Sequence, residues 1–293
     1  MSWCDGLEAI CKQSVPLSAH TWYGLGGPAR WFVTPRGEEE LAEVLRRCTR
    51  HELAWRVLGH GANLLVRDAG FDGVVIHLAG HEWESVCLDG PLVTAGAGAD
   101  FPKLVKRTVE AGLGGLENLA GIPGSVGGIV RMNAGGKYGS IGTYVQRVRL
   151  ASPDGRIEER TAERMGFAYR HTDVGRAVVT RVELRLEPGD RDQIMQRFRR
   201  IWNEKYASQP TVSARSCGCI FKNPPGHSAG RLIDEQGLKG ACVGGAEISP
   251  RHANFIVARE GARAQDVLDL IALARDKVRA ATGIELELEV EVW

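Results

Sequence analysis

Three short segments, Gly59-His60-Gly61-Ala62-Asn63-Leu64, Gly96-Ala97-Gly98-Ala99-Asp100-Phe101 and Pro123-Gly124-Ser125-Val126-Gly127-Gly128, have the density of small residues that lets main-chain N–H groups close around an anion. The first two begin as Gly-x-Gly but lack the third glycine, so the Rossmann fingerprint fails in both. No Gly-Lys-Ser/Thr follows the third, which excludes a Walker loop. From Ala111 to Val130 there is neither lysine nor arginine; a pyrophosphate held here would be held by amides alone. The same glycines would also serve tight turns with no ligand, and the residues by themselves leave both readings open. Cys217-Gly218-Cys219 is the one close pair among seven cysteines. A zinc site needs two further ligands at suitable spacing, and the nearest candidate, His227, has no companion, so no metal is expected. An odd cysteine count without a secretory signal reads as free thiols.

The elements that must position these segments follow from periodicity. Leu41, Val44, Leu45 and Cys48 recur at helical spacing from Glu38 to His51, and Leu104, Val105, Thr108 and Val109 do so from Phe101 to Ala111. Short apolar runs at Trp55–Leu58, Leu64–Val66, Val74–Leu78 and Leu92–Ala95 read as strands. Val145–Leu150 and Arg156–Arg160 flank Ser152-Pro153-Asp154-Gly155, a turn signal that predicts a β-hairpin. Asp190 can cap a helix running to about Tyr206. Beyond it, Cys219–Phe221, Ala241–Val243 and Phe255–Ala258 read as short strands, Gly230–Gln236 and Ala264–Ala281 as helices, and Ile284–Trp293, which alternates strictly, as a half-buried strand with four carboxylates on one face. The outline is α+β, with boundaries near residues 80 and 188.

Composition sets the class. The chain has 293 residues, 43% hydrophobic and 25% charged, which suits two or three globular cores. Thirty-seven basic residues against 36 acidic ones give a net charge of +1, too little field for a nucleic-acid partner or an anionic membrane surface. No apolar run reaches the roughly 18 residues of a membrane span, and a cytoplasmic protein is expected. Glycine stands out: 11 of the 37 fall between Gly112 and Gly142. No Gly-X-Y period accompanies them, so they shape backbone inside a folded domain.

At a finer grain the chain resembles the UDP-N-acetylmuramate dehydrogenase (MurB) family. The resemblance rests on His60-Gly61-Ala62-Asn63-Leu64-Leu65-Val66-Arg67-Asp68, on Gly121-Ile122-Pro123-Gly124-Ser125-Val126-Gly127-Gly128 with Met132-Asn133-Ala134-Gly135, and on Glu163-Arg164-Met165-Gly166-Phe167-Ala168-Tyr169-Arg170. It continues through Ser216-Cys217-Gly218-Cys219-Ile220-Phe221-Lys222-Asn223-Pro224, Leu232-Ile233-Asp234, Gly237-Leu238-Lys239-Gly240 and Leu286-Glu287-Leu288-Glu289-Val290. These blocks keep the family's order from about Thr21 to Val292. Only 48 residues separate Arg170 from Cys219, which matches the shorter type of member, without an extra tyrosine-bearing loop.

The resemblance implies a two-lobed FAD-binding domain of the vanillyl-alcohol-oxidase (PCMH) type and a smaller α+β substrate-binding domain. The lobes would be residues 1–80, joined by the C-terminal strand 284–293, and 81–188; the substrate domain would be 189–283. It implies noncovalent FAD, NADPH as electron donor, and reduction of UDP-N-acetylglucosamine enolpyruvate to UDP-N-acetylmuramate in peptidoglycan precursor synthesis, by a monomer. The FAD contacts would come from Gly59, His60, Gly61, Ala62, Asn63, Leu64, Gly121, Pro123, Gly124, Ser125, Gly127, Gly128, Asn133 and Ala134. The substrate contacts would come from Tyr169, Lys205, Asn223 and Lys239, with Tyr206 a further candidate. Arg170 would face the negative charge that develops on the substrate, Glu289 would hydrogen-bond the enol, and Cys219, where most members carry serine, would protonate it. Of two other readings, an idle flavin- or nucleotide-binding module gives no reason for Arg170, Cys219 and Glu289 to occur together, and an oxygen-using oxidase with flavin attached through His60 finds no other support in the chain.

Overall fold

The spacing of Leu41, Val44, Leu45 and Cys48 is realised as the helix Glu38–Arg50, which buries all four. Glu38, Glu39 and Glu40 occupy its first turn and Arg47 and Arg50 its last, so each end of the helix dipole meets opposite charge. Phe101–Glu110 is a second helix. The Asp100 carboxylate accepts from the Lys103 N–H at 2.8 Å, Pro102 lies in the first turn where its missing N–H costs nothing, and Leu104, Val105 and Val109 are buried.

The computed structural model describes residues 3–211 and 213–293, and its packing divides the chain into two compact units. The first comprises Met1–Gln13, Arg30–His60 and Asp72–Glu204; the second comprises Ser14–Ala29, Gly61–Phe71 and Lys205–Trp293. A five-stranded antiparallel sheet in the order Ile157–Thr161, Val145–Ala151, Val178–Arg185, Leu92–Gly96, Val86–Asp89 forms the body of the first unit. The expected hairpin turn joins its first two strands, with Gly155 at φ +79° donating to the Ser152 carbonyl at 2.8 Å. Val148, Leu150, Val182 and Leu184 enter the same core as Leu104 and Val109 of the helix. The strands Cys11–Pro16, Pro28–Val33, Phe71–His77 and Trp55–Leu58 form a four-stranded sheet in that order, the last pair parallel. The helix Arg191–Ser208 starts where Asp190 accepts from the Gln193 N–H. It packs through Glu204 with the first unit, and Ile194 lies in that unit's core.

In the second unit the strands Cys242–Val243, Ala246–Ile248 and Ile256–Ala258 form an antiparallel sheet. The helix Ala264–Thr282 buries Val267, Leu270, Ile271, Ala274 and Val278 against it, and Gly283 at φ +72° ends the helix. Two carboxylates satisfy donors around its first turn. Asp68 accepts from Ala264 at 2.9 Å and Gln265 at 3.1 Å, and Asp266 from Arg263 and Gly245, both at 3.0 Å.

One expected strand is absent and another is cut short. Cys219–Phe221 is irregular because Gly218, at φ +81°, turns the chain, and Phe221 makes only an isolated bridge to Leu288. Of Ile284–Trp293 only Glu291–Val292 is a strand, parallel to Leu64–Leu65. The Ile220 carbonyl accepts from both Glu289 (2.8 Å) and Val290 (3.3 Å). Consecutive N–H groups of a strand point to opposite sides, so two converging on one acceptor break the ladder there. Among the described residues no helix is long and apolar enough to cross a membrane, and no group of three or more His, Cys, Asp or Glu is placed to hold a metal ion.

Candidate active site

Within the first unit the fold draws the glycine segments together. Phe101 N–H donates to the Gly124 carbonyl at 3.0 Å, Val126 N–H to Ala99 at 2.9 Å and Gly127 N–H to Ala97 at 2.8 Å. A Cβ on Gly59 would stand 2.2 Å from the Ser125 hydroxyl, and one on Gly127 would stand 2.8 Å from the Ala97 Cβ, so neither position has room for a side chain. His60 Nδ1 lies 3.8 Å from the Asp100 carboxylate. Val126 and Gly127 therefore have their N–H groups committed to the chain. The N–H groups of Gly124 and Ser125, both buried residues, donate to nothing among the described residues. Buried donors of that kind are rare unless a ligand takes them, and they suit a phosphate oxygen. Gly121 holds φ +74° after the turn Leu116–Leu119, Pro123 is half-buried, Gly128 lies in the short helix Val126–Arg131, and Ala134 donates to the Ile129 carbonyl at 2.8 Å.

The same unit carries Arg170 on a two-residue turn. Ala168 and His171 exchange N–H···O bonds of 3.1 Å each, leaving Tyr169 and Arg170 at the tip. Arg170 is held at φ +53°, a left-handed conformation that a side-chain-bearing residue seldom adopts. Its guanidinium donates to the Gly135 carbonyl at 2.8 Å and lies 5.0 Å from the ring centroid of Tyr169, which is exposed. Asn133 is buried and also at positive φ, +42°. Its Nδ2 donates to the Ala168 carbonyl at 2.7 Å while its Oδ1 accepts from the Gly142 N–H at 3.0 Å. The side chain expected to touch the cofactor is thus bonded to the turn that bears Arg170.

In the second unit the loop after His60 meets the C-terminus. Gly61, at φ +63°, would place a Cβ 2.1 Å from the His20 carbonyl, which forbids any other residue. Half-buried Ala62 follows, then Asn63, whose Nδ2 donates to the Glu289 carbonyl at 3.0 Å; Leu64 is buried in the strand paired with Glu291. Glu289 is the one C-terminal carboxylate that is half-buried, whereas Glu285, Glu287 and Glu291 are exposed. Glu287 bonds the ammonium of Lys222, and Glu285 stands 3.7 Å from Arg275. The bond from Glu289 N–H to the Ile220 carbonyl sets this residue beside the one that follows Cys219.

Cys219 is half-buried, but Cys217 is buried and its thiol is pushed up to about 12, first by burial and further by the charges of Cys219 and Glu289. A thiol so raised keeps its proton and acts as packing, here against the buried phenol of Tyr23, which donates to the Ile256 carbonyl at 3.0 Å. Asn254 fixes the segment after Cys219. Its main-chain carbonyl accepts from Ile220 at 2.9 Å, and its side chain accepts from the Phe221 N–H (2.9 Å) and donates to the Phe221 carbonyl (2.8 Å). Sequence reading missed Asn254, because an asparagine in a loop carries no periodic signal.

Two of the expected substrate residues, Asn223 and Lys239, are bonded to the same short helix. Asn223 Oδ1 accepts from the Ala229 N–H at 3.0 Å, at the start of the helix Ala229–Glu235, and Lys239 pairs with Asp234 at 2.7 Å. Lys205 is half-buried near the end of the helix Arg191–Ser208 and Tyr206 is exposed. Arg251 donates to the Tyr206 (3.1 Å) and Ala207 (3.2 Å) carbonyls. Chemically, the first unit offers free amides and a fixed cation, and the second a half-buried thiol and a half-buried carboxylate on segments joined by the bond from Glu289 N–H to the Ile220 carbonyl.

Comparison with known proteins matches two stretches of the chain to family models. The family model for an FAD binding domain matches residues 29–160, and that for the C-terminal domain of UDP-N-acetylenolpyruvoylglucosamine reductase matches residues 209–293. The chain is 46% identical over 287 residues to a UDP-N-acetylenolpyruvoylglucosamine reductase of Heliobacterium modesticaldum, covering 96% of this chain and 90% of that one. It is 43% identical over 289 residues to the Moorella thermoacetica protein of the same name, covering 98% and 95%. The crystal structure of UDP-N-acetylenolpyruvylglucosamine reductase from Thermus caldophilus superposes with a TM-score of 0.83 at 42% identity, over 97% of this chain and 98% of that chain.

Proposed function

The chain belongs to the UDP-N-acetylenolpyruvoylglucosamine reductase (MurB) family of FAD-dependent oxidoreductases, and from that premise we propose that it reduces UDP-N-acetylglucosamine enolpyruvate to UDP-N-acetylmuramate with electrons from NADPH. The product is a peptidoglycan precursor, and the enzyme acts as a cytoplasmic monomer with two flavin lobes and a substrate domain. One observation supports the reading above the others: Glu289 is bonded by its N–H to Ile220, next to Cys219, and by its carbonyl to Asn63 of the glycine loop. An idle binding module has no use for that cluster.

Bound FAD would supply the redox chemistry, two-electron exchange between NADPH and the enol ether, whose β-carbon would receive the hydride. The residues fit such a cofactor, since the free buried amides of Gly124 and Ser125 would hold its pyrophosphate with no basic side chain. Arg170, preset by its turn and by the Gly135 carbonyl, stabilises the negative charge that appears on the substrate as the hydride arrives. Glu289 hydrogen-bonds the enol. The Cys219 thiol then gives its proton to the α-carbon, completing the lactyl ether, and recovers a proton from solvent. Tyr169, Lys205, Asn223 and Lys239 bind the UDP-sugar.

The test separates the two half-reactions. NADPH should bleach the flavin anaerobically, and the enolpyruvyl sugar should restore its colour. Arg170→Gln and Glu289→Gln should leave bleaching nearly unchanged and slow the recovery by a hundredfold or more. Equal losses in both steps would remove the assigned roles.

A further inference from the structure

We propose that Asn133 is a positioning residue for Arg170, acting through the turn Ala168–His171 and not on the cofactor. The inference rests on the role of Arg170 proposed above. An arginine is useful toward a transient anion only if its guanidinium is already in place when the charge appears, because reorganisation then adds nothing to the barrier. Arg170 is poorly suited to hold itself there. It sits at φ +53° on a two-residue turn whose own bonds are two contacts of 3.1 Å, and left-handed backbone is unfavourable in a residue with a Cβ. Something outside the turn must fix it.

Asn133 is so placed. Its amide is buried, and both of its polar atoms are bonded: Nδ2 to the Ala168 carbonyl at 2.7 Å, Oδ1 to the Gly142 N–H at 3.0 Å. Gly142 has no room for more than a hydrogen, since a Cβ there would stand 2.7 Å from the Phe167 ring and 2.9 Å from Asn133 Oδ1. Two residues on, the Gly135 carbonyl takes the Arg170 guanidinium at 2.8 Å. The segment Asn133–Gly135 thereby grips the backbone of the turn at one point and the side chain it bears at another. Asparagine answers both needs of the position, a donor with an acceptor on one short side chain, and tolerance of the left-handed backbone at φ +42°.

The experiment compares Asn133→Asp, Asn133→Gly, Arg170→Gln and the double variant Asn133→Asp/Arg170→Gln as FAD-loaded proteins. Asn133→Asp removes the donor to Ala168 and keeps the acceptor for Gly142; Asn133→Gly removes both bonds without backbone strain and carries the test should the aspartate variant not fold. Flavin bleaching by NADPH should stay within twofold of the parent. Recovery with the enolpyruvyl sugar should slow at least tenfold, and the double variant should be no more than twofold slower than Arg170→Gln alone, as expected when one residue acts through the other. Independently of turnover, amide hydrogen exchange at His171 should accelerate at least tenfold in the Asn133 variants, with exchange in the strand Val178–Arg185 unchanged. Parent-like recovery in both Asn133 variants, an additive loss in the double variant, or slowed bleaching would overturn the proposal while leaving the role of Arg170 standing. If Arg170→Gln itself recovers at the parent rate, the reading of Arg170 fails, and this one with it.

Discussion

At the scale of single residues, the chemistry turns on which of several similar groups is singled out. Four carboxylates alternate along the C-terminal segment, and only Glu289 is drawn inward, because its N–H is bonded to Ile220 and its carbonyl to Asn63. Of the two neighbouring thiols, burial holds Cys217 protonated at about 12, and Cys219 is the one with access to solvent. A proton donor must hold its proton, and a thiol is far more readily ionised than a serine hydroxyl. Recovery of flavin colour by substrate should therefore decline at alkaline pH in the parent protein. Cys219→Ser should retain activity and lose that alkaline limb, and Cys219→Ala should keep flavin reduction and form product at least a hundredfold more slowly. Single-turnover traces across pH decide this, and an alanine variant turning over at the parent rate would assign the proton to another group. Cys217→Ala, by contrast, should act on stability and leave the pH profile in place.

Individual elements depend on polar groups from elsewhere in the chain. The helix Ala264–Thr282 begins against two carboxylates, and the N–H groups of Arg263 and then Gly245 hold Asp266 below the ordinary carboxylate range. Gly244 is at φ +51°, where a Cβ would stand 2.4 Å from the Asp266 carboxylate, so this glycine is what admits the contact. Asp266→Ala should cost about 1–2 kcal/mol, through the loss of two hydrogen bonds from part-buried N–H groups to a charged acceptor. A depressed pKa stabilises the fold fully above the unfolded value of about 4 and ceases to do so as pH falls through the folded value. The deficit of Asp266→Ala in urea unfolding should therefore be complete at pH 7 and shrink below about pH 4; a deficit that persists undiminished at acid pH would show that packing, and not the ionised carboxylate, is what the residue supplies. Asp68→Ala should weaken the same helix start, because its carboxylate takes the next two N–H groups.

For the molecule as a whole, a cofactor that binds only the folded chain must stabilise it by mass action. Acid or heat denaturation should release FAD intact, stripped protein should melt at lower temperature, and added FAD should restore the melting point; flavin that stays attached to denatured protein would establish a covalent bond instead. Much of this was legible in the chain itself. Residue type and spacing determined the helices Glu38–Arg50, Phe101–Glu110 and Ala264–Thr282, the hairpin at Ser152–Gly155 and the family, because periodic burial and turn chemistry are local properties written into consecutive residues. The course of the C-terminus was not legible: alternation predicts a continuous strand there, and the bifurcated acceptor at Ile220 leaves only Glu291–Val292. Nor was the work of Asn63, Asn133 and Asn254, whose partners lie 226, 35 and 33 residues away. A side-chain amide bonds whatever carbonyl or N–H the fold brings within about 3 Å, and no pattern along the chain records which one that is. The sequence alone thus determined which chemical groups the protein carries, and tertiary structure decided which of them are fixed, buried or left free, since that depends on contacts between residues far apart in the chain.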